Sequence, residues 1–132
     1  MSIKEMIREH PQVGSDFNEE LAEAVKHAMY CAAICNSCAD ACSAEDMDMR
    51  ECIRLCMDCS DVCTATYRVA SRRTSGNVRV IEAQLRTCIA ACEACAIECE
   101  KHDHAHCRRC ATMCRESARD CEIALEGMIA AG

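Results

Sequence analysis

The sequence predicts an all-α protein: an up-down antiparallel four-helix bundle, with a short extra N-terminal helix, in a single domain spanning residues 1–132. Cysteines recur at alternating steps of four and three residues, which is the spacing of a helix face that points into a bundle. Strand-like alternation is nearly missing, and the helix breakers Pro11, Gly14 and Gly76 separate the long patterned segments. Four such segments with short connections imply antiparallel neighbours.

The first long helix follows a break in the chain. Residues 2–9 predict only a short extra helical turn, because proline and glycine follow it closely. Asp16 is then followed three residues later by Glu19, which is the spacing of an N-terminal capping box. We therefore expect Asp16 to cap a helix that runs over about residues 17–44.

Short polar turns bound the other three helices. The segment AEDMD at 44–48 predicts the first turn, with Asp46 as a candidate cap. The segment RRTSGN at 72–77 contains a glycine and ends the second long helix, and KHDHAH at 101–106 leads into the fourth. The predicted helices then span about residues 47–72, 78–100 and 104–129.

One cysteine pattern is repeated three times along the chain. It reads CAAICNSCADAC at 31–42, CIRLCMDCSDVC at 52–63 and CIAACEACAIEC at 88–99. The fourth helix keeps the same steps over three cysteines and adds one a heptad later. We expect these side chains to occupy the bundle core: Cys31, Cys35, Cys38, Cys42, Cys52, Cys56, Cys59, Cys63, Cys88, Cys92, Cys95, Cys99, Cys107, Cys110, Cys114 and Cys121.

Antiparallel helices sort these cysteines into layers. One end should hold Cys42, Cys52, Cys99 and Cys107, and the other end Cys31, Cys63 and Cys88. At ~1.5 Å per residue, each repeated block spans roughly 16 Å. The sequence therefore predicts a tube lined by thiols along most of its length.

A secreted disulfide scaffold does not fit this pattern. Neighbours at i,i+3 and i,i+4 on a helix have Cβ atoms about 5–6 Å apart, whereas a disulfide needs about 3.5–4.5 Å. The N-terminus shows no apolar signal segment, so we expect a cytoplasmic protein whose thiols stay reduced. The net charge of −7 and the lack of a basic patch argue against nucleic acid as a partner, and no apolar stretch predicts a membrane span.

Sixteen thiols in one core predict a soft metal ion as the ligand. Thiolate sites select Cu(I), Zn(II) or iron–sulfur clusters. Zinc and iron–sulfur sites are usually built on turns or loops, whereas these cysteines lie within regular helices. Multiple Cu(I) ions per chain are therefore favoured, with a zinc or other soft-metal buffer and an iron–sulfur (ferredoxin-like) protein as alternatives. No arrangement of a nucleophile and a base stands apart from the cysteines, so we expect no enzyme.

The triple repeat resembles the copper storage proteins, and specifically their cytosolic branch. The resemblance covers about residues 16–130 and rests on three C-x3-C-x2-C-x3-C blocks in an alanine-rich chain without tryptophan. It implies a homotetramer of four-helix bundles, each with Cu(I) ions held in its core by the cysteines. Matched by position, the ligands are the cysteines of the three blocks with Cys107, Cys110 and Cys114, and Cys121 extends them. No copper donor or acceptor protein is indicated.

Histidines and methionines cluster at one predicted end of the tube. His102, His106, Met47 and Met49 are candidate ligands there, better placed than His104, and copper is expected to enter past them. Asp103 stands where a full fourth block would have cysteine, and we expect it to loosen the seam at this end. At the other end, we expect His27 to be a surface residue or to be hydrogen-bonded to Tyr67.

Overall fold

The computed structural model describes residues 2–72 and 76–132, so residues 73–75 of the predicted break at 72–77 lie outside the described part. Its elements are α1 (Ile3–Arg8), a 3-10 turn (Gly14–Asp16), α2 (Glu19–Ser43), α3 (Arg50–Ala70), α4 (Val78–Cys99) and α5 (Ala105–Ala131). The described ranges contain no strand, which confirms the all-α class. None of their helices is both long and apolar enough to cross a bilayer.

The four long helices pack in a closed square. α2 and α4 each pack against both α3 and α5. Cys42 at the end of α2 contacts Cys52 at the start of α3, with their Sγ atoms 3.6 Å apart. Cys63 near the end of α3 likewise contacts Cys88 near the start of α4, at 3.8 Å. Consecutive helices are therefore antiparallel, and the predicted up-down bundle is confirmed.

The cap of α2 differs from the prediction. The Asn18 side chain, not Asp16, accepts a hydrogen bond from the backbone N–H of Leu21, at 3.0 Å. Asp16 instead ends the 3-10 turn, which begins at Gly14 with a φ of +45°. Glycine adopts a left-handed φ without steric cost. Because this turn precedes α2, the helix begins at Glu19, two residues later than predicted. The prediction that Asp16 caps this helix was wrong.

The start of α3 also lies beyond its predicted position. The helix begins at Arg50, and its N-cap residue Met49 makes no side-chain capping bond. Asp48 supplies the local acceptor, because its Oδ1 receives the backbone N–H of Arg50 at 3.1 Å. The prediction that Asp46 caps this helix was therefore wrong, and Met47 lies in the turn before α3.

α1 packs on the outside of the bundle against α2. Ile7 is its buried residue, and Lys4 reaches across to both Glu19 and Glu23. The contact with Glu19 joins Lys4 Nζ to Oε1 at 2.6 Å. The short helix thus covers the N-terminal half of α2 and neutralises part of its acidic first turns.

The core divides into a thiol column and an aliphatic plug. Every cysteine is buried, and none is more than 3% exposed. Beyond the column, at the end where α2 and α4 begin, the core is closed by larger aliphatic side chains. These are Leu21, Val25, Ile81, Leu85 and Leu125.

Candidate metal centre

The thiol column begins where the α2–α3 and α4–α5 turns meet. The Sγ atom of Cys52 lies 3.6 Å from that of Cys42 and 3.7 Å from that of Cys99. Cys42 also contacts Cys107, at 4.0 Å. The four cysteines that the sequence placed in one layer are therefore connected across all four long helices.

The contacts continue through the middle of the bundle. Cys35 lies 3.7 Å from Cys110 on α5, and Cys59 lies 3.7 Å from Cys92 on α4. Within a helix, the partners are four residues apart, as in Cys31 and Cys35 at 3.7 Å. All sixteen thiols are free, so the core contains no disulfide.

Neighbouring thiols form four-ligand groups that overlap. In each group the ligand atoms lie within 4.8 Å of one another. Adjacent groups share sulfur atoms, because six cysteines each belong to two groups: Cys31, Cys35, Cys38, Cys59, Cys110 and Cys114. Five of the groups are Cys31/Cys59/Cys63/Cys92, Cys31/Cys35/Cys59/Cys114, Cys35/Cys95/Cys110/Cys114, Cys38/Cys56/Cys99/Cys110 and Cys38/Cys42/His106/Cys107.

The sulfur separations match those around a bound metal ion. With a metal–thiolate bond of about 2.3 Å, three or four sulfurs around one ion lie about 3.8–4.0 Å apart. The observed contacts between Cys59 and Cys63 and between Cys95 and Cys99 are 3.8 Å and 3.9 Å. The metal-free fold therefore already holds thiols at ligand spacing, and little rearrangement is needed to bind an ion.

Burial favours the protonated form of two thiols near the His106 end of the column, Cys52 and Cys107. It raises the pKa of Cys52 to about 11 and is the first cause of a rise in the pKa of Cys107 to about 12. A neutral thiol is the favoured form in a core without compensating charge. Binding of Cu⁺ then replaces a proton by a cation, so the local charge is unchanged.

His106 joins the thiols at the open end of the column. Its Nδ1 lies 3.3 Å from the Sγ of Cys38 and 3.6 Å from that of Cys107. Its Nε2 donates to the Oε2 of Glu45, at 2.8 Å. The contact with Cys38, followed by that with Glu45, raises the pKa of His106 against the effect of burial. This histidine is thus oriented as a nitrogen ligand by a carboxylate on its far side.

Glu45 also organises a second histidine. Its Oε2 lies 3.4 Å from the Nδ1 of His104, whose ring stacks on His106 with centroids 5.6 Å apart and planes 4° from parallel. The sequence favoured His102 over His104, but His102 Nε2 contacts Glu98 Oε2 at 2.7 Å rather than a thiol. The contact between Glu45 and His106 could not be predicted from the sequence, because the two residues lie 61 positions apart and share no repeated pattern.

The two candidate methionines lie in different environments. Met49 is buried, at 3% exposure, whereas Met47 is 54% exposed. Met47 and Met49 both belong to the α2–α3 connection, on the same end of the bundle as His106. At this end of the bundle, the thioether of Met47 is therefore exposed to solvent and that of Met49 lies beneath the surface.

Asp103 does not belong to the column. It precedes α5, its side chain is fully exposed, and its Oδ1 forms an ion pair with Arg108. The expectation that Asp103 loosens the cysteine seam was wrong. Because α5 begins at Ala105, position 103 lacks the helical geometry that would turn it inward, and His106 faces the thiols instead.

At the opposite end, the column stops against the aliphatic plug. Cys121 reaches the last layer, where contact with Cys88 raises the pKa of Cys121. His27 was expected to be a surface residue or to be hydrogen-bonded to Tyr67, but its side chain is only 14% exposed and contacts Asp120 on α5. The plug and this contact cover the bottom of the tube, whereas His106 at the other end is 27% exposed.

Ser117 interrupts the seam of α5 between Cys114 and Cys121. It is 0% exposed, and its Oγ has no hydrogen-bond partner among the described residues. The 3-4 spacing of the cysteines marks position 117 as a core position, so this residue could have been found from the sequence. A hydroxyl there is a polar break in an otherwise sulfur-lined face.

A family comparison agrees with this geometry. The family model described as "Csp: Copper storage protein" matches residues 17–126. The chain belongs to the copper storage protein family. None of the curated proteins matches it.

Solved structures of copper storage proteins have the same fold. The chain is 40% identical to Ccsp from Streptomyces lividans, a copper storage protein solved with 10 copper equivalents, with 96% of this chain and 99% of that chain covered and a TM-score of 0.90. It is 43% identical to the S. lividans cytosolic copper storage protein loaded with five coppers, covering 82% and 93% of the two chains with a TM-score of 0.80. A histidine-to-alanine variant of Ccsp matches at 42% identity, 83% and 95% coverage and a TM-score of 0.81.

Proposed function

We propose that this protein stores many Cu(I) ions on the thiolates of its core. The observation that carries the proposal is the sharing of cysteines between adjacent four-ligand groups, since Cys35 and Cys114 each belong to two. A shared thiolate can bridge two ions, so the column accepts a continuous chain of ions rather than a few isolated ones. The S. lividans relative that is loaded with 10 copper equivalents supports this reading.

Charge favours Cu(I) over zinc in this core. A Zn²⁺ ion with four thiolates leaves two uncompensated negative charges, which are costly away from water. A Cu⁺ ion cancels one thiolate, so a filled column with one ion per cysteine is neutral. The groups also lie within helices and share their ligands, unlike the separate sites of zinc or iron–sulfur proteins.

The ligand set that we propose consists of all sixteen cysteines and His106. His102, Met47 and Met49 are proposed to bind copper transiently as it passes from the surface to Cys38. The support is their common location at the end where the column is not closed by aliphatic side chains. Storage requires no catalytic step, and we propose none.

We further propose that the protein is cytoplasmic and assembles as a homotetramer. The cytosolic description of the S. lividans relative supports the location. For the assembly, the support is a set of exposed apolar side chains on α1–α3, among them Met6, Tyr30 and Met57 at 53–69% exposure. Light scattering on the purified protein tests the assembly, and a mass of one chain contradicts it.

A metal competition experiment tests the function. The reduced protein is titrated anaerobically with Cu(I) in the presence of excess Zn²⁺, and the ultraviolet thiolate absorption and the bound metals are followed together. We expect copper to displace zinc completely from the cysteines and the thiolate absorption to rise until many copper ions are bound. Zinc that stays on the cysteines at high copper, so that only a few copper ions bind, would favour a zinc buffer. A visible absorption of an iron–sulfur cluster in the isolated protein would favour the other alternative.

A further inference from the structure

A cluster outside the thiol column surrounds the imidazole of His27. This residue on α2 is 14% exposed and faces α5. Its Nδ1 contacts the Oδ2 of Asp120, a carboxylate that is only 11% exposed. Its Nε2 lies 3.3 Å from the Oε1 of Glu116 and 3.5 Å from the Oε1 of Glu23. Carboxylates therefore meet both ring nitrogens.

A neutral imidazole cannot satisfy all of these contacts. It has one N–H and one lone pair. In the tautomer with the proton on Nδ1, donated to the more buried carboxylate of Asp120, the lone pair of Nε2 faces the oxygens of Glu116 and Glu23. Lone pairs at this distance repel one another unless a positive charge lies between them.

The separations at Nε2 are those between ligands of one metal ion. With metal–nitrogen and metal–oxygen bonds of about 2.0–2.2 Å, tetrahedral ligands lie about 3.3–3.5 Å apart. The distances from His27 to Glu116 and Glu23 fall at these values. A carboxylate on the other nitrogen is also the usual partner of a metal-bound histidine, because it fixes the tautomer and the ring orientation.

We propose that His27, Glu23 and Glu116 bind a divalent first-row transition ion, of which Zn²⁺ fits best, and that Asp120 is the positioning residue. Imidazole and carboxylate ligands suit such an ion, whereas Cu(I) prefers sulfur. The site is distinct from the thiol column and links α2 to α5 at the closed end of the tube. It would stabilise the bundle there by joining the two helices through one ion.

Access and charge also fit a cation. Glu116 and Glu23 are 40% and 32% exposed, so the side of the cluster opposite Asp120 is open to water. Lys4 contacts the other oxygen of Glu23 and also contacts Glu19, so it offsets only part of the negative charge of the cluster. A divalent ion would offset the remaining negative charge.

The test uses protein that is already saturated with Cu(I), because its thiols are then occupied and prefer copper to zinc. Equilibrium dialysis against Zn²⁺ with metal analysis gives the stoichiometry and the dissociation constant. We expect one Zn²⁺ per chain, and at least tenfold weaker binding in His27→Gln and Glu116→Gln. The matched control Glu122→Gln changes an exposed glutamate of α5 and should bind zinc as the wild type does.

Two results would overturn the proposal. One is the lack of saturable zinc binding to the copper-loaded wild type, which is the outcome expected if a protonated His27 supplies the positive charge instead. The other is equal zinc affinity in wild type and His27→Gln, measured on samples with equal helix content. Co²⁺ gives a check without mutation, since a cobalt–thiolate charge-transfer band in the copper-loaded protein would place the ion on sulfur and also contradict the proposal.

Discussion

The Nδ1 of His106 lies 3.3 Å from the Sγ of Cys38, at the end of a column of sixteen buried thiols. This contact joins a partly exposed side chain to the closed core. His106 is 27% exposed, whereas Cys38 is 3% exposed. A copper ion bound by this pair is in contact with the surface and with the column at once.

Glu45 should govern how fast copper passes this pair. Glu45→Ala removes the acceptor that orients His106, and we expect Cu(I) loading to slow by about tenfold, the effect of losing such an orienting carboxylate. Glu45→Gln keeps an acceptor oxygen and should restore most of the rate. Stopped-flow absorption of the Cu(I)–thiolate chromophore measures both, with Glu51→Ala on α3 as a surface control. If the Glu45→Ala variant loaded Cu(I) at the wild-type rate, the orientation of His106 would not matter for loading.

The histidines at this end should affect rate more than capacity. Replacement of His102, His104 and His106 together by Ala removes nitrogen ligands near the surface but leaves the sixteen thiols intact. We expect slower loading and slower removal of copper by a chelator, with a nearly unchanged final copper content. His27→Ala, beside the aliphatic plug, should have a smaller effect on both rates. The opposite order of effects would mean that copper enters at the plugged end.

The metal-free protein should be folded and should lose stability at alkaline pH. Alanine favours helix and neutral thiols pack as small apolar groups, so circular dichroism should show high helix content without metal. The pKa of Cys52, raised to about 11, stabilises the fold below the ordinary thiol pKa, and this contribution is lost as the pH rises from about 9 to 11.

Thermal unfolding at several pH values measures this loss. We expect the Tm of the metal-free protein to fall by roughly 5 °C or more between pH 8 and pH 11, while the copper-loaded protein changes less because its thiols no longer titrate. A random-coil spectrum in the absence of metal would instead imply that copper is needed for folding. Equal pH dependence of the two forms would show that the thiols are not the titrating groups.

Ser117 should contribute little to stability, or reduce it. Its buried hydroxyl has no partner in the described residues, and such a group carries a desolvation cost of about 1–3 kcal/mol. Ser117→Ala is therefore expected to raise the free energy of unfolding of the metal-free protein by about 1 kcal/mol. Chemical denaturation measures this, with Ser60→Ala as the control that breaks a 2.8 Å bond to the Ala32 carbonyl. A clear loss of stability in Ser117→Ala would mean that the hydroxyl is hydrogen-bonded.

The sequence predicts the bundle and the thiol layers well because both depend on one local pattern. The 4-3-4 spacing decides which face of each helix turns inward, and antiparallel order then brings Cys42 to Cys52. What it cannot supply is contact between distant polar residues. His27 and Asp120 lie 93 positions apart, and neither belongs to a repeated pattern.

Helix starts were predicted less well for a different reason. Asp16 and Asn18 are both suitable caps, and the choice between them depends on the 3-10 turn that precedes α2. Asp103 was misplaced because the cysteine spacing was extended past the start of α5 at Ala105. A repeated pattern thus locates the core of a helix but not the residue at which it begins.

The copper content of the fully loaded protein tests the storage function most directly. The reduced protein is loaded with excess Cu(I) without oxygen, desalted, and analysed for copper and protein. The shared thiolates predict many ions per chain, on the order of one for each cysteine. A saturated content of one or two ions per chain would contradict storage, whatever the affinity of those ions.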